Sequence, residues 1–255
     1  MLRLKESFIG LIFLFTLSFA QNNRITQIST INALMAGVYD GNYSLGELKR
    51  YGDFGLGTFN NLDGEMLMLD GICYRMKSDG SVQQTDDNQL LPFATVTLFR
   101  QDKPVDNLTE GTNQQVLEKQ IDSLLPTLNI FYAVRLDGLF KAVKARSVPK
   151  QYPPYISLVE VVKKQSEFMF EDVEGTILGF RSPAFVKGLN VPGYHFHFIS
   201  KDRKRGGHVL NFIIKKASAK IENISELSLL LPSDSEFYKA SLAEDKQKEL
   251  NKIEK

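Results

Sequence analysis

The sequence predicts an α/β protein, rich in strands (α+β in character) and divided into two domains. Three observations carry this. Short apolar stretches of strand-like composition recur along the 255 residues, and Asp-Gly pairs and Asn60-Asn61 punctuate them as turns. Stretches with helical spacing are few and mostly short. Three prolines, Pro149, Pro153 and Pro154, break the chain past its middle. They set the expected boundary between an N-terminal domain, residues 21–150, and a C-terminal domain, residues 151–255.

Taken in order, residues 25–30 read as a strand and 31–37 as a short helix, with a turn at Asp40-Gly41. Ser44 is placed to cap a second short helix over 45–51, with Glu47 three residues on as in a capping box. Residues 55–59, 65–69 and 71–77 read as strands separated by Asn60-Asn61, Asp63-Gly64 and Asp70-Gly71, and Asp79-Gly80 closes another turn. Residues 94–100 alternate as a strand does. Residues 114–124 have helical spacing through Val116, Ile121 and Leu124, and the helix stops before Pro126. A hairpin is expected from 130–135 and 139–143, turning at Asp137-Gly138. Beyond the prolines, 156–164 is apolar and 175–180 strand-like. Residues 194–199 and 208–215 are the strongest strand candidates, and two short helices, 235–240 and 243–253, follow.

The first twenty residues follow a different grammar. Arg3 and Lys5 precede the apolar run 8–17, and Ser18-Phe19-Ala20 offers a small-x-small cleavage site before Gln21. We expect residues 1–20 to act as a secretory signal peptide, with the mature chain exported to the periplasm or the medium. The run is short for a membrane span. A formal net charge of +1 provides no overall field for nucleic acid or an anionic membrane. Cys73 is the only cysteine, which rules out a disulfide within the chain, and its apolar setting suits a small buried hydrophobe.

The chemistry concentrates in one segment. The chain has three histidines, His195, His197 and His208, all within fourteen residues. On a strand, His195 and His197 point to one face and Phe196 to the other. The polar stretch 201–207 ends in Gly206-Gly207, which suits a hairpin turn, and His208 then begins the returning strand. An antiparallel pairing brings the three imidazoles together, as an open metal site with vacant coordination positions requires. Zinc is the default for imidazole ligands; nickel, cobalt, iron and manganese suit the same set.

Several motifs in order make the reading more specific. Gly57-Thr58-Phe59-Asn60, Leu62-Asp63-Gly64-Glu65, Arg146-Ser147-Val148-Pro149, Phe180-Arg181-Ser182-Pro183, the run from Val191 to His197 and Arg205-Gly206-Gly207-His208-Val209 together resemble the acetolactate decarboxylase family. The resemblance runs from about Gln27 to the last helix. It implies a carboxy-lyase that converts the small molecule 2-acetolactate into acetoin and CO2, a zinc cofactor, a two-domain fold with mixed sheets, and a homodimer. The metal would act as a Lewis acid on the substrate's hydroxyl and ketone oxygens. By motif position Arg146 is implied as the anion partner and Glu65 as an orienting or proton-delivering acid. Thr58, Leu62 and Val148 are implied as pocket lining. A glutamate near the C-terminus should approach the metal, Glu254 being the nearest match and Glu249 the alternative.

Two other readings compete. A cupin-like oxygenase or isomerase also uses two histidines on one strand and a later one, but supplies a glutamate a few residues on, where this chain has Ser200, Lys201 and Asp202. A non-catalytic exported protein could use the ion to hold a hydroxy-acid.

Overall fold

The computed structural model describes residues 23–106 and 108–254. The expected signal peptide, residues 1–20, lies outside the described residues. No helix among the described residues is long and apolar enough to cross a membrane.

The chain opens with β1 (Arg24–Ile28), α1 (Ile31–Met35), β2 (Tyr43–Ser44), α2 (Leu45–Leu48), β3 (Phe54–Thr58), β4 (Glu65–Leu69), β5 (Ile72–Met76), β6 (Val82–Gln84), β7 (Leu90–Leu91), β8 (Phe93–Thr97) and β9 (Lys103–Val105). It continues with α3 (Gln114–Leu124), β10 (Phe131–Ser147), α4 (Leu158–Val162), β11 (Ser166–Ser182), β12 (Gly193–Ser200), β13 (Gly206–Ile224), β14 (Glu226–Leu230), α5 (Ser235–Lys239) and α6 (Gln247–Ile253). The α2 capping box forms as expected, with Ser44 and Glu47 each bonding the other's backbone N–H.

Two main sheets carry the fold. The first has seven strands in the order β14-β1-β8-β3-β4-β5-β6, and the second has five, β10-β11-β12-β13-β9. In the second sheet β10 also pairs with β13, so four long strands close on themselves. Within the first sheet β14 runs parallel to β1 while the other pairs are antiparallel, so the sheet is mixed. The sheets do not part at the prolines. β10 precedes them and belongs to the second sheet, whereas β14 follows them and returns to the first.

Strand alternation decides what faces the junction of the sheets. On β12, Phe196 and Phe198 pack into the core enclosed by the second sheet, with Phe140, Phe212 and Ile177. Ile199 belongs to the cluster shared with the first sheet, which includes Leu67 and Leu69 of β4. With a period of two, His195 and His197 share the face of Ile199, and Glu65 shares the face of Leu67 and Leu69. Two strands from different sheets thus aim their polar residues at the same space.

Two expectations are corrected, and one strand is added. Asp137-Gly138 makes no turn, because β10 runs through it as one strand of 17 residues. Asp137 accepts from Arg135 Nε at 2.8 Å and from the Thr176 hydroxyl at 2.8 Å. Glycine is needed at 138 for close approach, since a Cβ there would lie 2.3 Å from the Lys216 carbonyl oxygen. Gly206-Gly207 likewise lies inside β13 rather than in the turn. The reversal falls at 201–204, with Arg203 in the left-handed region at φ 59°. A Cβ at Gly206 would meet Met76 Sδ at 2.4 Å. Finally, β14 was not anticipated. Its alternation is weak, and only pairing with β1 makes it a strand.

Gly138→Ala tests the first correction. Overpacking against backbone should lower stability by about 1–3 kcal/mol, seen as a lower urea midpoint at unchanged slope. Wild-type stability would show that 137–138 is free of its neighbours.

Candidate metal centre

The register places the site across three strands. His197 of β12 sits opposite His208 of β13, and His208 sits opposite Arg146 of β10. Residues directly opposed across antiparallel strands share a face, so these side chains form one row, with His195 two residues along β12. The ring centroids of the histidines lie 4.9 to 5.4 Å apart.

The hydrogen bonding around the rings bears on which nitrogens can serve as ligands. His197 Nδ1 donates to the Met66 carbonyl oxygen at 2.7 Å. A carbonyl can only accept, so the proton sits on Nδ1 and Nε2 is left bare towards the cavity. His208 Nε2 is buried without a hydrogen-bond partner. His195 Nε2 lies 3.1 Å from His208 Nδ1. Burial holds the rings neutral. It takes His195 down to about 3, with the Arg146 charge adding to the effect. It also takes His197 and His208 well below the ordinary imidazole range. One ligand atom from each of the three lies within 4.8 Å of the others. Neutral rings, a bare Nε2 and an orphaned buried nitrogen suit a metal ion that accepts these lone pairs.

Two acids and one base face the rings. Glu65, at the first position of β4, brings Oε2 to 3.8 Å from His197 Nε2. Glu254, just past α6, brings Oε2 to 3.7 Å from His208 Nε2 and 3.9 Å from His195 Nε2. Arg146 stands between the acids, with Nη1 at 3.3 Å from Glu65 Oε1 and Nη2 at 3.8 Å from Glu254 Oε1. Its Nη2 also donates to the Ile253 carbonyl at 3.2 Å, while its buried Nε has no partner. Burial raises Glu65 to about 7, against the lowering effect of Arg146. Glu254 rises to about 7 from the same causes.

All nine residues expected from the sequence line one cavity: Thr58, Leu62, Glu65, Arg146, Val148, His195, His197, His208 and Glu254. Glu249 is exposed on α6 and is not among the residues lining this cavity, whereas Glu254 is. Thr58 differs in one respect. Its hydroxyl donates to the Gly64 carbonyl at 2.9 Å, so it braces the turn that leads into Glu65. Sequence reasoning missed the remaining apolar wall, made of Ile31, Leu34, Phe93 and Leu158. These carry no chemical signature that would distinguish them from core residues. It also missed the Met66 carbonyl, which no side-chain pattern can reveal.

A family model described as alpha-acetolactate decarboxylase matches residues 25–244. The chain belongs to this family. It is 48% identical over 229 residues to an alpha-acetolactate decarboxylase of Methanosarcina mazei, a match covering 90% of this chain and 79% of that one. A Bacillus subtilis protein of the same name is 43% identical, with 86% of each chain covered. A crystal structure of the Bacillus subtilis strain 168 alpha-acetolactate decarboxylase superposes with a TM-score of 0.89 at 41% identity, covering 91% of this chain and 99% of that one. A Staphylococcus aureus protein of unknown function, described as similar to alpha-acetolactate decarboxylase, superposes at 0.86 with 29% identity, covering 90% of this chain and 99% of that one. As a member of this family the chain is an enzyme, a carboxy-lyase. The cupin-like and purely binding alternatives lose their support.

Purified protein should carry about one divalent ion per chain by elemental analysis, and His197→Ala or His208→Ala should bring this close to zero. Metal at a hundredfold excess over its Kd should stabilise the fold by about 2.7 kcal/mol, so a chelator should lower the Tm of the wild type but not of either variant. Equal Tm with and without chelator in the wild type would reject the site.

Proposed function

We propose that this enzyme decarboxylates 2-acetolactate (2-hydroxy-2-methyl-3-oxobutanoate) to acetoin, dependent on a divalent metal. The observation that carries the reading is the convergence of three neutral imidazoles, one guanidinium and two carboxyl groups in a single cavity of a chain of this family. The substrate bears its carboxylate and hydroxyl on C2 and a ketone at C3. Breaking the C1–C2 bond releases CO2 and leaves an electron pair that delocalises onto the ketone oxygen. One proton added at C2 restores the C3 ketone and gives the neutral product, with no oxidant or reductant.

His195, His197 and His208 would hold the ion, zinc by default, which when bound supplies a Lewis acid for developing negative charge. Arg146 supplies the fixed positive charge opposite the substrate carboxylate, and its unpartnered Nε–H is a donor ready to take a substrate oxygen. Glu65 and Glu254 are the acids on the cavity wall, and the proton added at C2 comes from this pair. The apolar side chains Leu34, Leu62, Phe93 and Leu158 receive the two methyl groups and keep water from the reacting carbon. The order of basic, apolar and small residues over 1–20 supports an exported enzyme, and the family resemblance supports a homodimer.

Metal-loaded enzyme given 2-acetolactate should release acetoin and CO2 in equal amounts. Arg146→Ala should lower kcat by about 10²–10³, with Arg146→Lys recovering little because an ammonium lacks the planar fork. Glu65→Gln and Glu254→Gln should each cost about 10² or more. Intact, metal-loaded protein without turnover would reject the activity. Wild-type kcat in both glutamine variants would reject the assignment of the proton donor.

A further inference from the structure

Helix α6 is weakly built for a helix that delivers a site residue. It has seven residues, no side-chain cap at its N-terminus, and a length at which an isolated helix is marginal in water. The chain that leads to it includes α5, which buries no residue. Upstream of α6, Asn32 Nδ2 holds the chain by donating to the carbonyls of Leu242 and Glu244, at 3.1 Å each.

Two side chains dock α6. Leu250 and Ile253 are the buried residues of the helix, and they enter the apolar cluster of Ile31, Leu34, Phe93, Val148 and Leu158. Those five residues also line the catalytic cavity, apart from the two docking residues themselves. Beyond them, α6 touches the site through the Ile253 carbonyl and the Glu254 carboxylate, both on Arg146. Glu254 also lines a second, outer groove with Gln114 and Glu118 of α3, Tyr194 of β12, Asn211 of β13 and Asn251 of α6. It is the residue common to the inner cavity and the outer groove. Behind it the rings are nearly sealed, with side-chain exposures of 11%, 1% and 3% for His195, His197 and His208.

We propose that α6 is a strap closing the catalytic cavity, with Leu250 and Ile253 as positioning residues that hold Glu254 between the cavity and the groove by which substrate enters. This deepens the decarboxylase reading and rests on the same cavity. Undocking α6 withdraws Glu254 from Arg146 and from the rings, and opens the cavity towards α3. Local opening of a short element anchored at two points costs less than global unfolding. The apolar wall is shared, so methyl groups of a bound substrate pack against the cluster that docks the strap.

The test uses the full chain, dialysed against chelator, with diethyl pyrocarbonate as the probe. The three imidazoles are the only ones in the sequence, so the ultraviolet signal of carbethoxy-imidazole reports on the cavity alone. The wild type should label slowly. In Leu250→Ala and in Ile253→Ala, amides of residues 247–254 should lose hydrogen-exchange protection while the sheets keep theirs, and labelling should quicken by about tenfold or more. Leu250→Met should behave as the wild type. In metal-loaded enzyme the same alanine variants should lose kcat by about tenfold or more, through displacement of Glu254, with metal content unchanged. Wild-type labelling rates in variants whose α6 amides are loosened would overturn the proposal. So would wild-type protection of α6 in both alanine variants, or global unfolding of both, which would make α6 part of the main fold. If the wild type shows no decarboxylation, that reading fails, while labelling and exchange still decide whether α6 is a strap.

Discussion

The hydrogen bond from His197 Nδ1 to the Met66 carbonyl ties the histidine strand of one sheet to the glutamate strand of the other. Met66 follows Glu65, so the bond that fixes the tautomer of His197 also sets how far Glu65 stands from the rings. The apolar cluster between the sheets, with Leu67, Leu69, Phe180 and Ile199, holds those strands in register, and the polar cavity lies at its edge. Each buried aliphatic or aromatic side chain of this kind contributes about 1.5–3 kcal/mol. Packing between the sheets therefore supplies the rigidity on which the placement of the rings depends.

The charges follow from this arrangement. Three neutral rings, two carboxyl groups and one guanidinium share a space nearly closed to water. Arg146 alone cannot match both Glu65 and Glu254, and burial raises both acids. A divalent ion on the rings would offset the excess negative charge, as buried carboxylates need partners. Arg146 is positioned by β10, Glu65 by β4 and Glu254 by α6, so charge balance is met only when three separately positioned elements are in place.

Much of the site was legible in the sequence, for identifiable reasons. The period of two on 195–197 and the returning strand at His208 place the three rings together without further information. Glu65 and Arg146 came from motif positions, and no periodicity would have joined them to the distant histidines. Glu254 was ambiguous with Glu249, because a solvated helix end has no motif of its own; Leu250 and Ile253, which point inward, set the register. Local turn chemistry failed where tertiary contact decides. Gly138 and Gly206 are glycines because neighbouring strands approach too closely for a Cβ, a need that local composition cannot distinguish from a turn. Strand β14 and the apolar wall of Leu34, Phe93 and Leu158 were invisible for the complementary reason, since only their partners give them a role.

X-ray absorption at the edge of the metal in the loaded protein tests the central claim most directly. Three imidazole nitrogens, with the remaining positions filled by oxygen, are the result expected for an open centre on His195, His197 and His208. A sulfur ligand from Cys73, or fewer than three imidazoles, would contradict it.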